Sequence, residues 1–172
     1  MESRAKLLGH PAHQMLIVFP LGLLATAVIF DVVFLASGMP EMATVAYWLI
    51  AAGLIGALVA APFGTYDWLG IPPGTRAKRI GAMHGGGNVV VALLFLSSWW
   101  LRPEAPGEPG ALALTLSFAG AALAMVTGWL GGELVDRLGV GVHEGANLDA
   151  PNSLIEPDLH APPARHPVRA PR

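Results

Sequence analysis

Four stretches of this 172-residue chain are so long, and so poor in charge, that only a lipid surrounding suits them. They cover residues 14–37, 43–66, 82–101 and 111–135, and within them the only charges are Asp31 and Glu133. Each reaches the ~20 residues that a helix needs to cross ~30 Å of hydrocarbon. In lipid every backbone N–H and C=O must be satisfied inside the protein, and a helix does this within its own segment. The sequence therefore predicts an all-α fold, an integral membrane four-helix bundle running up-down-up-down in contact with the lipid bilayer. A hydrophobic content of 53% and a mean hydropathy of +0.55 agree with that.

The expected division is a cytoplasmic N-terminal segment and helix entry over residues 1–13, a transmembrane domain over 14–138, and a tail over 139–172. The tail is rich in Pro and Ala, lacks apolar periodicity and reads as disordered. The first stretch is read as a retained span, because 24 residues exceed the usual apolar core of a signal peptide. Arg4, Lys6, Arg76, Lys78, Arg79 and Arg137 fall at one side of the spans, against Arg102 at the other. The positive-inside rule then places both termini in the cytoplasm and the protein in the cytoplasmic (inner) membrane.

Composition removes several kinds of chemistry. With no cysteine there is no disulfide, thiolate metal site, iron-sulfur cluster or c-type haem attachment. A formal charge of -2 without a basic run does not suit nucleic acid. No hydrolase triad, phosphate loop or zinc-protease pattern is present, so a stand-alone enzyme is not expected.

What remains is polar and lies at one end of the spans. The third stretch opens with Met83-His84-Gly85-Gly86-Gly87-Asn88, where an imidazole and an amide enter lipid beside three glycines that weaken the helix and clear space. His13 lies 71 positions before His84, and Asp67-Trp68-Leu69-Gly70-Ile71 is echoed by Asp136-Arg137-Leu138-Gly139-Val140, which suggests a two-fold repeat of helical hairpins. In an up-and-down bundle the first and third spans are diagonal, so His13 and His84 would face each other.

Two opposed imidazoles with glycine clearance suit a bis-histidine b-type haem. Gly85 would then make room, while Asn88, Asp67 and Glu133 would orient the rings. The same two histidines as metal ligands, with Met15 or Met83 as soft donors, suit copper. Alternatively the histidines bridge helices in a structural or assembly subunit without a cofactor, whose small-residue seams (Gly53, Gly56, Ala60 and Gly64; Ala113, Ser117, Gly120, Ala124, Gly128 and Gly131) pack helices or bind another membrane subunit. Redox proteins are the partners that the haem reading implies. Asp31, five turns beyond His13, shares its face and is expected at the outer interface, paired or hydrated.

These residues also carry a likeness. Gly9-His10-Pro11-Ala12-His13 followed by Phe19-Pro20, Ile71-Pro72-Pro73-Gly74-Thr75-Arg76-Ala77, His84 with Asn88, and Gly128-Trp129-Leu130-Gly131-Gly132-Glu133-Leu134-Val135 resemble a bacterial family of small integral membrane proteins classed as a domain of unknown function. The resemblance spans about residues 7 to 142 and implies a four-span membrane domain, sometimes found beside redox modules, without an established activity. Where that family tends to read Tyr-Arg-His-Gly, this chain reads Asp136-Arg137-Leu138-Gly139.

Overall fold

The computed structural model describes residues 1–102 and 106–154. A small hairpin comes first: β1 (Lys6–Leu7) pairs antiparallel with β2 (His10–Pro11), Lys6 opposite Pro11 and Leu7 opposite His10. Leu8 and Gly9, both at positive φ (51° and 83°), form the turn, as a two-residue hairpin of this twist requires.

The first span is broken near its start. Helix α1 (Ala12–Leu16) and helix α2 (Val18–Ser37) meet at Ile17. Pro20 explains the position, since it lacks the N–H that would bond the Leu16 carbonyl and its ring crowds that turn. Gly38, in the left-handed conformation (φ 71°), stops α2 by donating to the Phe34 carbonyl. Pro40 then opens α3 (Pro40–Gly70) in its first turn. After the Pro72-Pro73-Gly74 turn, the Thr75 hydroxyl accepts from Lys78 N–H and caps α4 (Arg76–Trp100). Helix α5 (Ala111–Gly132) runs on into a π-helical turn, Glu133–Arg137. Each of the four spans is long and apolar enough to cross a membrane.

The small-residue seams bring these helices together. On α3, Gly53 lies against Leu24, Gly56 against Phe19 and Pro20, and Gly64 against His13; residue numbers rise along one helix as they fall along the other, so the pair is antiparallel. On α5, Gly120 lies against Phe95 and Gly131 against His84 in the same sense. Close approach through small residues is how helices associate where lipid removes the hydrophobic drive. Gly128 departs from the expected seam, because a Cβ there would meet no heavy atom within 4 Å. Between the two hairpins the core is formed by Leu24, Ala27, Ala46, Ile50, Val91 and Phe95, all buried. Large apolar side chains such as Ile55, Leu58, Leu93 and Trp129 cover the outside, as in an all-α membrane bundle.

Of the expected tail, residues 155–172 lie outside the described residues. Residues 139–154 run back along the N-terminal segment: the Met1 amine donates to the Gly139 carbonyl at 3.1 Å, and Gly141 N–H to the Met1 carbonyl at 2.9 Å.

Candidate functional site

Each histidine sits between the two helices of its own hairpin. His13 Nδ1 lies 3.0 Å from the Ala60 carbonyl of α3, and His84 Nδ1 lies 2.8 Å from the Thr127 carbonyl of α5. A carbonyl only accepts, so both rings carry their hydrogen on Nδ1. In the neutral ring the free electron pair is then on Nε2.

A glycine permits each bond. A helical side chain leans over the turn before it, so the residue four positions after a carbonyl covers that carbonyl. Four after Ala60 stands Gly64, where a Cβ would lie 2.7 Å from His13 Cε1. Four after Thr127 stands Gly131, where it would lie 3.0 Å from His84 Cε1. A side chain at Gly64 would displace the ring, and one at Gly131 would crowd it.

The two arrangements repeat with a register that differs from the one read in the sequence. His13 and His84, like Leu24 and Phe95, are 71 apart; Gly53 and Gly120, Ala60 and Thr127, and Gly64 and Gly131 are all 67 apart. The Asp67 and Asp136 segments, 69 apart, are therefore not structural counterparts. By these contacts the position matching Asp67 is Leu134.

The halves differ in their polar additions. Asn88, one turn along α4, accepts from the Thr127 hydroxyl at 2.9 Å. Its Nδ2 is 3.2 Å from Nε2 and 3.5 Å from Nδ1 of His84. The shorter of the two contacts puts the amide within hydrogen-bonding distance of Nε2, the nitrogen with the free electron pair. Ile17 matches Asn88 in the first half and brings no such group.

Asp67 and Glu133 hold other partners. Asp67 accepts from Ser3 Oγ (2.6 Å), Arg4 N–H (2.6 Å) and Ala5 N–H (3.0 Å), which pins the N-terminal segment. Glu133 pairs with Arg76 at 2.6 Å. Their carboxylates were expected to orient the imidazoles, but these donors are nearer to hand, and of the three expected helpers Asn88 alone touches a ring. Gly85 and Gly86 also stand apart from the interior: a Cβ at either would meet no heavy atom within 4 Å, whereas Gly87 packs on the Thr127 methyl. Met15 and Met83 are exposed on the outer surface. Among the described residues no three His, Cys, Asp or Glu side chains gather as a metal site.

The sequence reading missed a second polar cluster, at the other end of the bundle. Asp31, expected at the outer interface, is fully buried and takes a two-pronged ion pair from Arg102, both contacts at 2.8 Å. Ser117 Oγ lies 3.0 Å from the same carboxylate, and Arg102 also donates to Ser98 Oγ at 3.1 Å. The 71-residue spacing of Asp31 and Arg102, equal to that of the histidines, was the signal for it.

These features define a four-span helical membrane protein built from two matched hairpins, with a histidine at the same place in each. The model of the family described as Predicted membrane protein (DUF2231) matches residues 9–144, and the chain belongs to that family. No curated protein and no solved structure matches it.

Proposed function

We propose that this protein is an electron-transfer subunit of the cytoplasmic membrane that holds a b-type haem between His13 and His84. The observation that carries the reading is the paired bonding of Nδ1 to helix carbonyls. It fixes both rings in the form whose Nε2 can bind iron, which is how proteins orient histidine ligands. Haem would supply one-electron redox chemistry, with a potential set by its two axial ligands and their hydrogen bonds. The carbonyls of Ala60 and Thr127 orient the two rings. The basic residues at this end favour placing the site and both termini on the cytoplasmic side, where a redox protein or another membrane subunit would exchange electrons with it.

Copper fits less well, because the thioethers of Met15 and Met83 face away. A structural reading is favoured by one observation of its own: the imidazole-carbonyl bonds tie each hairpin together without any cofactor. The separating experiment is absorption spectroscopy with metal analysis on protein expressed with haem supply and purified in detergent. A Soret band with six-coordinate low-spin features is expected, and His13→Ala and His84→Ala should each bind haem more weakly and in a five-coordinate form. Folded protein without that band would reject the haem reading in favour of the structural one.

A further inference from the structure

His84 lies well inside a 25-residue helix, but His13 is the second residue of its helix, ahead of the interruption at Ile17. The leading N–H groups of a helix have no partner within it and must be held from outside. We infer that Asp67 is the positioning residue for His13, acting through the N-terminal segment instead of by contact with the ring; the inference rests on the two-histidine reading of the site.

The route is a short chain of hydrogen bonds. One carboxylate near the end of α3 takes Ser3 Oγ, Arg4 N–H and Ala5 N–H, fixing three consecutive residues. The Ala5 carbonyl then accepts from the N–H of Ala12, the first residue of α1 and the neighbour of His13, at 2.9 Å. The hairpin closed by Leu8 and Gly9 keeps those two ends of the segment together. Asp67 lies seven residues, two turns, after Ala60 and so on the same face of α3. One helix thus grips α1 twice: Asp67 holds its leading amide through Ala5, and Ala60 holds its imidazole. In the second hairpin Leu134 stands at the matching position, and no such grip is needed where the histidine lies well inside its helix.

The test uses the full chain in detergent, wild type beside Asp67→Ala, with and without haem. Two readouts belong to the inference. Without haem, amide exchange over residues 12–16 is expected to speed up in Asp67→Ala while that of α5 is unchanged. With haem, affinity is expected to fall about tenfold, the size usual for loss of a group that orients a ligand. The spectrum would shift from six-coordinate low-spin toward the five-coordinate form of His13→Ala, and Asp67→Ala would weaken binding no further when His13 is already Ala. Wild-type exchange and wild-type spectrum in Asp67→Ala would overturn the inference. If the wild type binds no haem, the proposed function falls, and the exchange measurement by itself still decides whether Asp67 holds α1. Should Asp67→Ala not fold, Ser3→Ala, which removes one of the three bonds, carries the test: a smaller change in the same direction supports the inference, and none overturns it.

Discussion

Asp31 of the first span and Arg102, just past the end of α4, stand at matching places in the two hairpins and meet each other, carboxylate to guanidinium, with neither side chain exposed. Each lies 18 residues, five helical turns, after the histidine of its span. The two hairpins are therefore clasped at one end by an ion pair and carry their imidazoles at the other. Around the pair, Ser98 of α4 and Ser117 of α5 supply further hydrogen bonds. Removing one partner strands the other charge away from water. Asp31→Ala or Arg102→Ala should cost about 3–5 kcal/mol, whereas an apolar pair of similar volume, Asp31→Leu with Arg102→Met, should recover most of the loss. Denaturant or thermal unfolding of the detergent-solubilised protein measures both.

The fold was legible because membrane length, charge depletion and small-residue spacing are local properties of the chain. The polar ends were less so. Asp31 was read as interfacial because a span by itself says nothing about which distant cation it meets, and Arg102 had been counted as a topology signal. The glycines beside His84 drew attention by their run, yet those that admit the rings are Gly64 and Gly131 on the partner helices. Nothing in a sequence marks a glycine as lying over a carbonyl that a remote imidazole seeks. Asp67 was read as a group orienting an imidazole, but its donors are the Ser3 hydroxyl and two main-chain amides of the N-terminal segment, and main-chain donors have no signature in residue type.

Gly64 and Gly131 should tolerate substitution far less than Gly85. A Cβ at Gly64 would come within 2.7 Å of Cε1 and 2.8 Å of Nδ1 of His13; at Gly131 the nearest His84 atoms are at 3.0 and 3.3 Å. Alanine at Gly64 should therefore push its ring off the carbonyl, and alanine at Gly131 should do so less. Alanine at Gly85 meets nothing and should stabilise the helix by roughly 0.5–1 kcal/mol. Melting temperatures of the three variants, with the imidazole signals followed by NMR, are expected to rank them Gly85→Ala, Gly131→Ala, Gly64→Ala from most to least stable.

Asn88 ties α4 to α5 through the Thr127 hydroxyl while its amide nitrogen lies within hydrogen-bonding distance of His84 Nε2. Asn88→Leu would leave that hydroxyl without this partner, and in membrane bundles such interhelical bonds average ~0.6 kcal/mol. A loss of about that size is expected, and Thr127→Val in the Asn88→Leu background should add little beyond it. A double-mutant cycle by unfolding checks the coupling. Equal and additive losses would mean that the two side chains act separately.

Glu2 makes the seam between the N-terminal segment and residues 139–154 sensitive to acid. Its carboxylate is held below its ordinary pKa first by the hydrogen bond from Lys6, then by the bond from Glu144 N–H, with His143 nearby at 3.4 Å. A carboxylate whose folded pKa lies below its unfolded value lends stability that is complete well above the unfolded value and disappears as pH falls through the folded one. The contacts of Glu2 should therefore persist at neutral pH and open only below the usual glutamate range. Because the group is partly open to solvent, salt should weaken the effect. Amide exchange at Gly141 and Glu144, corrected for the intrinsic pH dependence of exchange, is expected to rise on acidification in the wild type. In Glu2→Gln the same amides should already exchange faster at neutral pH and show a flatter response to acid. A wild-type profile that matches that of the glutamine variant would mean that Glu2 does not hold the seam.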